Sequence, residues 1–198
     1  LSEPVACVVR SVAKGGLLPG DTALVQGAGA MGLLHLLLLQ RQGVQVLVAE
    51  PEATRREMAM QLGAVAACDP LECDLATFIR DQTTGHGTQA AFFTAGGPTA
   101  IDQALGTLAK GGHLVLYGSI HPKGPIEVDP NQIHYDELTV TGIFTHTKQS
   151  FQQAVSLIAS RQVDVRPFIS EQVLFSDLEY AFQRAMSPDT YRVVVTLG

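Results

Sequence analysis

A glycine-rich loop between a predicted strand and a predicted helix constrains the fold of this chain more than any other feature. The strand spans residues 22–26 and the helix spans residues 31–42. The loop between them reads Gly27-Ala28-Gly29-Ala30-Met31-Gly32. A G-x-G-x-x-G loop in this strand–loop–helix context predicts a dinucleotide-binding turn, and with it a doubly wound α/β fold.

Each glycine of the loop has its own physical role. Gly27 permits the tight turn from strand to helix, Gly29 lacks a Cβ that would block a pyrophosphate, and Gly32 lets the helix lie close to the sheet. Free backbone N–H groups and the positive end of the helix dipole then face the phosphates. Ala30 and Met31 complete the predicted cofactor-binding loop. The alternative is a glycine-rich turn that binds nothing.

The first acid after the loop is a candidate for selecting the cofactor. Glu50 ends the second predicted strand, over 44–49, and stands eighteen residues after the last glycine of the loop. An acid at this place accepts hydrogen bonds from the adenosine ribose and repels a 2′-phosphate. With the adjoining Pro51 it therefore predicts NAD(H) rather than NADP(H). Arg55 and Arg56 are near enough to accept a phosphate if Glu50 turns away, and Glu50 could also be an exposed carboxylate at a strand end.

The rest of the sequence alternates short β-rich runs with helical periods, as a parallel sheet covered on both faces requires. The predicted strands lie at 22–26, 44–49, 65–67, 89–94, 113–117 and 138–143. The predicted helices lie at 4–13, 31–42, 53–62, 75–83, 99–109, 130–135 and 148–160. Six strands separated by helices predict a Rossmann domain with a six-stranded parallel sheet over residues 1–160. Residues 161–198 are predicted to be a C-terminal extension that packs on another domain or subunit, with elements at 172–175, 177–186 and 192–197.

Composition and charge exclude several classes of function. The formal net charge is −6 and the basic residues form no stripe, so we expect no binding to nucleic acid or to an anionic membrane. The most apolar run, residues 33–39, is too short to span a bilayer, and no signal peptide is visible. Three cysteines without a C-x-x-C pair favour a reducing compartment, so we expect a cytoplasmic protein. The scattered histidines include no H-E-x-x-H, and the sequence reveals no complete metal site.

Further motifs stand in order along the chain. They are Glu3-Pro4 with Cys7, Gly20-Asp21-Thr22 leading into the glycine loop, Gln61-Leu62-Gly63-Ala64, the run from Gly111 to Gly118, the run from Ile133 to Gly142, and Tyr191-Arg192-Val193-Val194-Val195. With these motifs the chain resembles the medium-chain, zinc-type alcohol dehydrogenases, and within them the polyol (sorbitol) and threonine dehydrogenase branch. The resemblance covers nearly the whole chain, which makes it more specific than the glycine loop alone.

The resemblance implies roles for residues at the carboxyl ends of the strands. Arg55 would lie along the adenine, and Thr94-Ala95-Gly96 would line the middle of the cofactor site. Residues after the fifth and sixth strands would border the nicotinamide: Tyr117, Gly118, Ser119, Gly142, Ile143 and Phe144. For Thr94 and Phe144, ordinary loop and core packing is the alternative. The implied substrate is a small secondary alcohol or polyol that gives a hydride to NAD, and a homo-oligomer is expected.

The Glu3-Pro4 pair carries an implication about zinc. In the polyol branch that the chain resembles, this glutamate lies beside the catalytic zinc, as a ligand or as a hydrogen-bond partner of its water. The other ligands, a cysteine and a His-Glu pair, would belong to an upstream catalytic domain outside these 198 residues. We therefore expect zinc only in the full-length parent, no catalysis by this chain alone, and association or disorder of its terminal apolar faces. The alternative for Glu3 is an acid favoured by the helix dipole.

Two other functions remain open. A zinc-free reductase of the quinone or enoyl type would share the fold, although those enzymes tend to carry a different glycine loop and to prefer NADPH. A non-catalytic module that binds NAD(H) and signals through its terminal strand would share it too.

Overall fold

The computed structural model describes residues 1–120, 124–187 and 189–197, in which helices and strands alternate. The helices are α1 (Ser2–Lys14), α2 (Ala30–Arg41), α3 (Ala53–Gln61), α4 (Leu75–Gln82), α5 (Pro98–Leu105), α6 (Pro130–Tyr135), α7 (Lys148–Ala159) and α8 (Leu178–Ala185). The strands are β1 (Thr22–Gln26), β2 (Gln45–Ala49), β3 (Ala66–Cys68), β4 (Thr88–Phe93), β5 (Leu108–Leu116), β6 (Thr139–Gly142), β7 (Ile169–Leu174) and β8 (Arg192–Thr196).

Six of these strands form one parallel sheet in the order β3-β2-β1-β4-β5-β6. Strand β1 pairs with β2 on one side and with β4 on the other, so the chain crosses between the two halves of the sheet after β3. Open sheets of this kind bind ligands at the carboxyl ends of the strands, beside this crossing point. The prediction of a doubly wound Rossmann fold with six parallel strands is confirmed.

The sheet is covered on both faces, and successive side chains of a strand alternate between them. In β1, Val25 faces a core formed with α1, α2 and α7, whereas Leu24 faces a second core formed with α4 and α5. In β4, Phe92 and Phe93 divide between the two cores in the same way. The first core fixes α1 against the sheet, which brings the N-terminus of that helix to the edge formed by the carboxyl ends of the strands.

One helix ends earlier than the sequence predicts. The apolar period predicts a helix over 99–109, but α5 ends at Leu105 and β5 begins at Leu108. The Thr88 amide of β4 donates to the Thr107 carbonyl at 2.9 Å, and Thr88 pairs with Leu108. The helix prediction is therefore wrong over 106–109, because pairing with β4 takes up the backbone groups that a longer helix would need.

After α7 the chain forms a second sheet, in which β7 and β8 pair in parallel and α8 packs against them. Several apolar side chains of this region are between 53% and 89% exposed: Leu174, Phe175, Phe182, Met186 and Leu197. An apolar surface of this kind is commonly covered by another surface. That these elements pack on a further domain or subunit stays a prediction. Within the described ranges, no helix combines the length and the apolar character needed to cross a membrane.

Candidate functional site

The glycine loop turns tightly out of β1 into α2. The Gly27 amide donates to the Ala49 carbonyl of β2 at 2.8 Å, and Gly27 has a φ of +93°, which a residue with a Cβ rarely adopts. Gly29 is the N-cap of α2 with extended backbone, and no side-chain cap closes it. The free N–H groups of this helix terminus therefore face the binding edge of the sheet, which suits an anion.

Gly29 and Gly32 differ in the space around them. A Cβ on Gly32 would lie 1.8 Å from the Gly27 carbonyl oxygen, so that the loop could not close over α2. A Cβ on Gly29 would meet no described atom within 4 Å, because this position faces open space. The close approach at Gly32 is the helix packing expected of that glycine, and the contact of Gly29 with a phosphate stays a prediction.

Glu50 is held by backbone amides at the end of β2. Its side chain is buried, with 4% of the residue exposed. Its Oε2 accepts from the Ala28 amide at 2.6 Å, and its Oε1 accepts from the Glu52 amide at 3.0 Å. A carboxylate has about four lone-pair sites, so two remain for a ligand. Glu50 is thus not the exposed strand-end acid of the alternative interpretation, and part of its hydrogen-bonding capacity belongs to the loop itself.

A cleft of about 430 Å³ opens between the ends of β1, β2 and β4. Six of the residues predicted to bind the cofactor line it: Gly27, Glu50, Pro51, Arg55, Ala95 and Gly96. Others were missed by the sequence analysis, namely Gln26, Ala49, Pro70, Leu71, Gly97, Thr99, Ala100 and Gln103. Their signal was positional, since they end β1 or β2, follow β3, or lie in and just before α5, at the same edge of the sheet.

Gln26 adds an unusual polar group to this cleft. Its Nε2 donates to the Ala100 carbonyl at 2.7 Å. Its Oε1 is buried and, within the described residues, accepts no hydrogen bond. A buried acceptor left in this state is unfavourable unless water or a ligand donates to it.

The two arginines near Glu50 have different positions. Arg56 donates to the carbonyl oxygens of Glu50 and Pro51 at 2.7 and 2.6 Å and forms an ion pair with Asp69 at 3.3 Å. Arg55 lines the cleft. Because Arg56 is occupied with these partners, the expectation that it could accept a phosphate is weakened.

Thr94 packs against the start of the glycine loop, and Gly118 packs against Thr94. The Thr94 hydroxyl donates to the Gln26 carbonyl at 2.6 Å, and a Cβ on Gly27 would lie 2.8 Å from its oxygen. A Cβ on Gly118 would lie 2.7 Å from the Thr94 carbonyl oxygen. For Thr94 this arrangement favours the packing interpretation, because its hydroxyl is already used within the protein.

Tyr117 connects the end of β5 to a buried histidine on α2. Its hydroxyl donates to Met31 Sδ at 3.1 Å, and its ring packs edge-on against His35 at 4.8 Å. His35 Nδ1 donates to the Met31 carbonyl and its Nε2 lies 2.8 Å from Ser11 Oγ. Burial lowers the pKa of His35 to about 4. Burial raises the pKa of Tyr117 to about 12, and the charges of Cys7 and Glu3 raise it as well.

The remaining predicted residues lie after β5 and β6. Ser119 and Gly142 are exposed, and Ile143 packs partly on the first core. Phe144 is 88% exposed, so it is not part of a core in this chain. Its carbonyl accepts from Arg10 Nη1 of α1 at 2.8 Å. The proposed contacts of these residues with a nicotinamide stay predictions.

Three side chains of types that can bind a metal ion meet near the start of α1. Glu3 Oε1 lies 3.0 Å from Cys7 Sγ and 3.5 Å from His146 Nδ1. Burial, together with the hydrogen bond and charge of Glu3, raises the pKa of the Cys7 thiol to about 12. Thiolate, imidazole and carboxylate are the groups that zinc prefers, so this donor set fits zinc. The sequence analysis found Glu3 but neither Cys7 nor His146 as a ligand.

The chain is similar to several known proteins. A family model described as zinc-binding dehydrogenase matches residues 30–160. The chain is 32% identical to 2-dehydro-3-deoxy-L-galactonate 5-dehydrogenase of Pseudoalteromonas atlantica, over 92% of the chain and 52% of that protein. It is 32% identical to L-threonine 3-dehydrogenase of Thermococcus kodakarensis, over 98% of the chain and 56% of that protein.

A solved structure gives the same result. A protein named as a zinc-binding dehydrogenase of Sinorhizobium meliloti, with NADP bound, superimposes with a TM-score of 0.90 at 25% identity. The superposition covers 98% of this chain and 57% of the other. The chain therefore spans about half the length of the relatives it matches.

Proposed function

Since this chain belongs to the zinc-binding dehydrogenase family, we propose that it forms the NAD(H)-binding part of a dehydrogenase that oxidises a small alcohol or polyol. The observation that carries the proposal is the position of Glu50. Its buried carboxylate lines the cleft and accepts a hydrogen bond from the Ala28 amide of the glycine loop. The glycine loop and Glu50 thus lie together and offer hydrogen-bonding groups to a diphosphate and to a ribose.

The cleft fits a dinucleotide on three independent grounds. The N-terminus of α2 is open where Gly29 leaves room, the two free lone-pair sites of Glu50 suit ribose hydroxyls, and the buried Gln26 Oε1 needs a donor. These groups lie along the carboxyl ends of β1 and β2, the usual place for the phosphate and ribose of such a cofactor. The protein already holds these groups in place before a ligand binds, so the site is preorganised.

Electrostatics favour NAD(H) over NADP(H). Two like unit charges about 4 Å apart repel each other by about 4 kcal/mol at an effective dielectric constant near 20, and solvent reduces this value. This repulsion would act between Glu50 and the 2′-phosphate of NADP(H). Even a third of it is about a tenfold difference in affinity. Glu50 cannot turn away without leaving the Ala28 amide without its acceptor, and Arg56 is occupied. The NADP bound to the Sinorhizobium meliloti relative makes the opposite preference the natural competing outcome.

When bound, the nicotinamide supplies the hydride acceptor, and zinc supplies a Lewis acid for the alcohol oxygen. The residues of this chain would bind and orient the cofactor. The amides of the glycine loop hold the diphosphate, and Glu50 fixes the ribose. Tyr117, Ile143 and Phe144 would border the reactive ring, where the 88% exposed Phe144 side chain is free to cover a ligand and exclude water.

The two curated relatives above are named as dehydrogenases of a sugar acid and of an amino acid that carries a hydroxyl group. Since the chain spans about half of these relatives, we infer that catalysis needs residues outside the 198 described by this sequence. Within the chain, we propose that residues 1–160 form the cofactor domain and that residues 161–198 return toward those further residues.

The three cysteines of this chain are free, which supports a reducing compartment such as the cytoplasm. Strand β6 is the edge of the large sheet, and such an edge can pair with another copy. We propose a cytoplasmic homo-oligomer on this basis.

The direct test is calorimetric titration of the chain with NADH and with NADPH, on material whose circular dichroism shows a folded α/β protein. We expect NADH to bind at least tenfold more tightly than NADPH. Tighter binding of NADPH would refute the role of Glu50, and no heat with either nucleotide would refute the proposed function. If the chain binds the nucleotide and the full-length parent protein is active without zinc, the zinc-free reductase would be favoured instead.

A further inference from the structure

The cluster of Glu3, Cys7 and His146 has the dimensions of a metal site. Their donor atoms all lie within 4.8 Å of one another. A tetrahedral zinc ion, with bonds of about 2.0–2.3 Å, places neighbouring donor atoms roughly 3.3–3.6 Å apart. The separations of 3.0 and 3.5 Å from Glu3 Oε1 to the other two donors are close to this value. Small side-chain movements would bring all three onto one ion.

The surrounding structure holds the three donors in place. Glu3 and Cys7 are one helical turn apart on α1, so they share a face of that helix. His146 comes from the loop after β6, which Arg10 of α1 ties down through the Phe144 and Thr145 carbonyls at 2.8 and 3.1 Å. A capping box starts α7 directly after His146.

The cluster also leaves one side open. The Cys7 residue is buried, whereas the Glu3 and His146 side chains are 55% and 34% exposed. Three protein ligands with an open fourth position are the arrangement of zinc sites that accept water or a substrate oxygen. A thiolate among the ligands favours zinc over magnesium or calcium, which prefer oxygen.

We propose that Glu3, Cys7 and His146 bind one zinc ion in a site that is complete within this chain. On binding, the S–H bond of Cys7 breaks, a sulfur–zinc bond forms, and the proton leaves to solvent. The expectation of zinc only in the full-length parent concerns a different set of ligands, which the family resemblance places in an upstream domain and which shares only Glu3 with this site. The proposal does not rest on NAD(H) binding, since no donor of the cluster belongs to the cleft at Glu50.

The test uses cobalt(II) as a spectroscopic substitute for zinc. The 198-residue chain is stripped with a chelator, kept reduced, and titrated with cobalt(II). We expect one equivalent to produce the intense visible bands of tetrahedral cobalt and a near-ultraviolet thiolate-to-cobalt band, and one equivalent of zinc to remove both. A folded chain that binds no metal, or that gives no thiolate band, overturns the proposal.

Variants assign the band to its ligands. Cys7→Ser should abolish the thiolate band, whereas Cys73→Ser, which changes another free thiol, should leave it unchanged. A band that survives Cys7→Ser and disappears in Cys73→Ser would place the metal elsewhere and refute the site.

The other two ligands provide a test that does not disturb a buried position. His146→Gln and Glu3→Gln should each weaken cobalt binding at least tenfold, and His86→Gln and Glu137→Gln are matched controls at exposed positions. His146 lies in a loop, so His146→Gln keeps the proposal testable even if Cys7→Ser does not fold. Unchanged affinity in a folded His146→Gln chain would contradict the proposal.

Discussion

Glu50 and Glu3 are the two acids on which these proposals depend, and they are held in different ways. Glu50 is 4% exposed, and backbone amides donate to both of its oxygens. The Glu3 side chain is 55% exposed, and it contacts the side chains of Cys7 and His146 instead. Backbone donors fix a carboxylate in one position, which suits the recognition of a ligand by hydrogen bonds. Side-chain partners can regroup, which suits an ion that draws its ligands together.

The largest effect should come from the loop that fixes Glu50. We expect Gly32→Ala to lower the free energy of unfolding by at least about 3 kcal/mol, because its Cβ would overlap the Gly27 carbonyl oxygen. Gly29→Ala should lower it by about 1 kcal/mol or less, the size of an N-cap effect, and should still weaken NADH binding at least tenfold. Urea unfolding and calorimetry measure the two quantities. Equal stability losses in the two variants would show that the loop is not closed in this way.

The second effect concerns His35, which connects the two sites through Met31 on α2 and Ser11 on α1. Its folded-state pKa of about 4 lies below the ordinary value of 6.5, so the unfolded chain binds the proton more readily between these values. Stability is therefore fully present above pH 6.5 and falls as the pH drops toward 4, by about 3 kcal/mol in total.

His35→Gln should flatten this dependence, because glutamine can keep both hydrogen bonds but does not take up the proton. His86→Gln, at an exposed position, should retain the slope of the unmodified chain. The measurement is urea unfolding at several pH values from 7.5 to 4. An unchanged slope in His35→Gln would mean that His35 is not the group that titrates.

The sequence predicted the glycine loop and the acid of the cleft because their signals are local. The glycine loop, the strand before it and Glu50 fall within one strand–helix–strand unit, so spacing alone related them. That Glu50 accepts from Ala28 could not be predicted, since it depends on how the loop folds back over β2. The helix prediction was wrong over 106–109 because the apolar pattern of 99–109 carries no information about pairing with the neighbouring strand β4.

The metal cluster shows the opposite case. Glu3 and Cys7 are four residues apart and could have been paired by helical spacing. His146 joins them only because α7 packs on α1 and Arg10 holds the intervening loop. No local pattern marks a lone histidine in a loop as a ligand, so this part of the site required the fold.

The third prediction acts on the carboxylate at the cleft. Glu50→Gln keeps the size of the side chain but removes its charge and places an amide group where a second acceptor stood. We expect NADH binding to weaken about tenfold, equivalent to about 1.4 kcal/mol, and the preference over NADPH to narrow. Glu57→Gln, on the exposed surface of α3, is the matched control. Unchanged dissociation constants for both nucleotides in Glu50→Gln would remove Glu50 from the site.

The smallest effect should come from Arg10, which supports the cluster without touching the proposed ion. Arg10→Met removes two exposed hydrogen bonds to the loop of His146, each worth about 1 kcal/mol at most. Cobalt affinity should fall by roughly fivefold while NADH affinity is unchanged, and Arg41→Met should alter neither. Loss of NADH affinity in Arg10→Met would show that the two sites are not separable in the way described above.

The hydrogen bond from Ala28 to Glu50 restricts how this chain could be redesigned for a phosphorylated cofactor. Ala28 is fully buried, so its amide needs an acceptor whatever residue stands at position 50. Reversing the charge alone, as in Glu50→Arg, would create a partner for the phosphate and strand that amide, and the loop would loosen. A change of cofactor preference therefore takes coordinated substitutions, one that restores a short acceptor such as a serine hydroxyl and another that adds the cation.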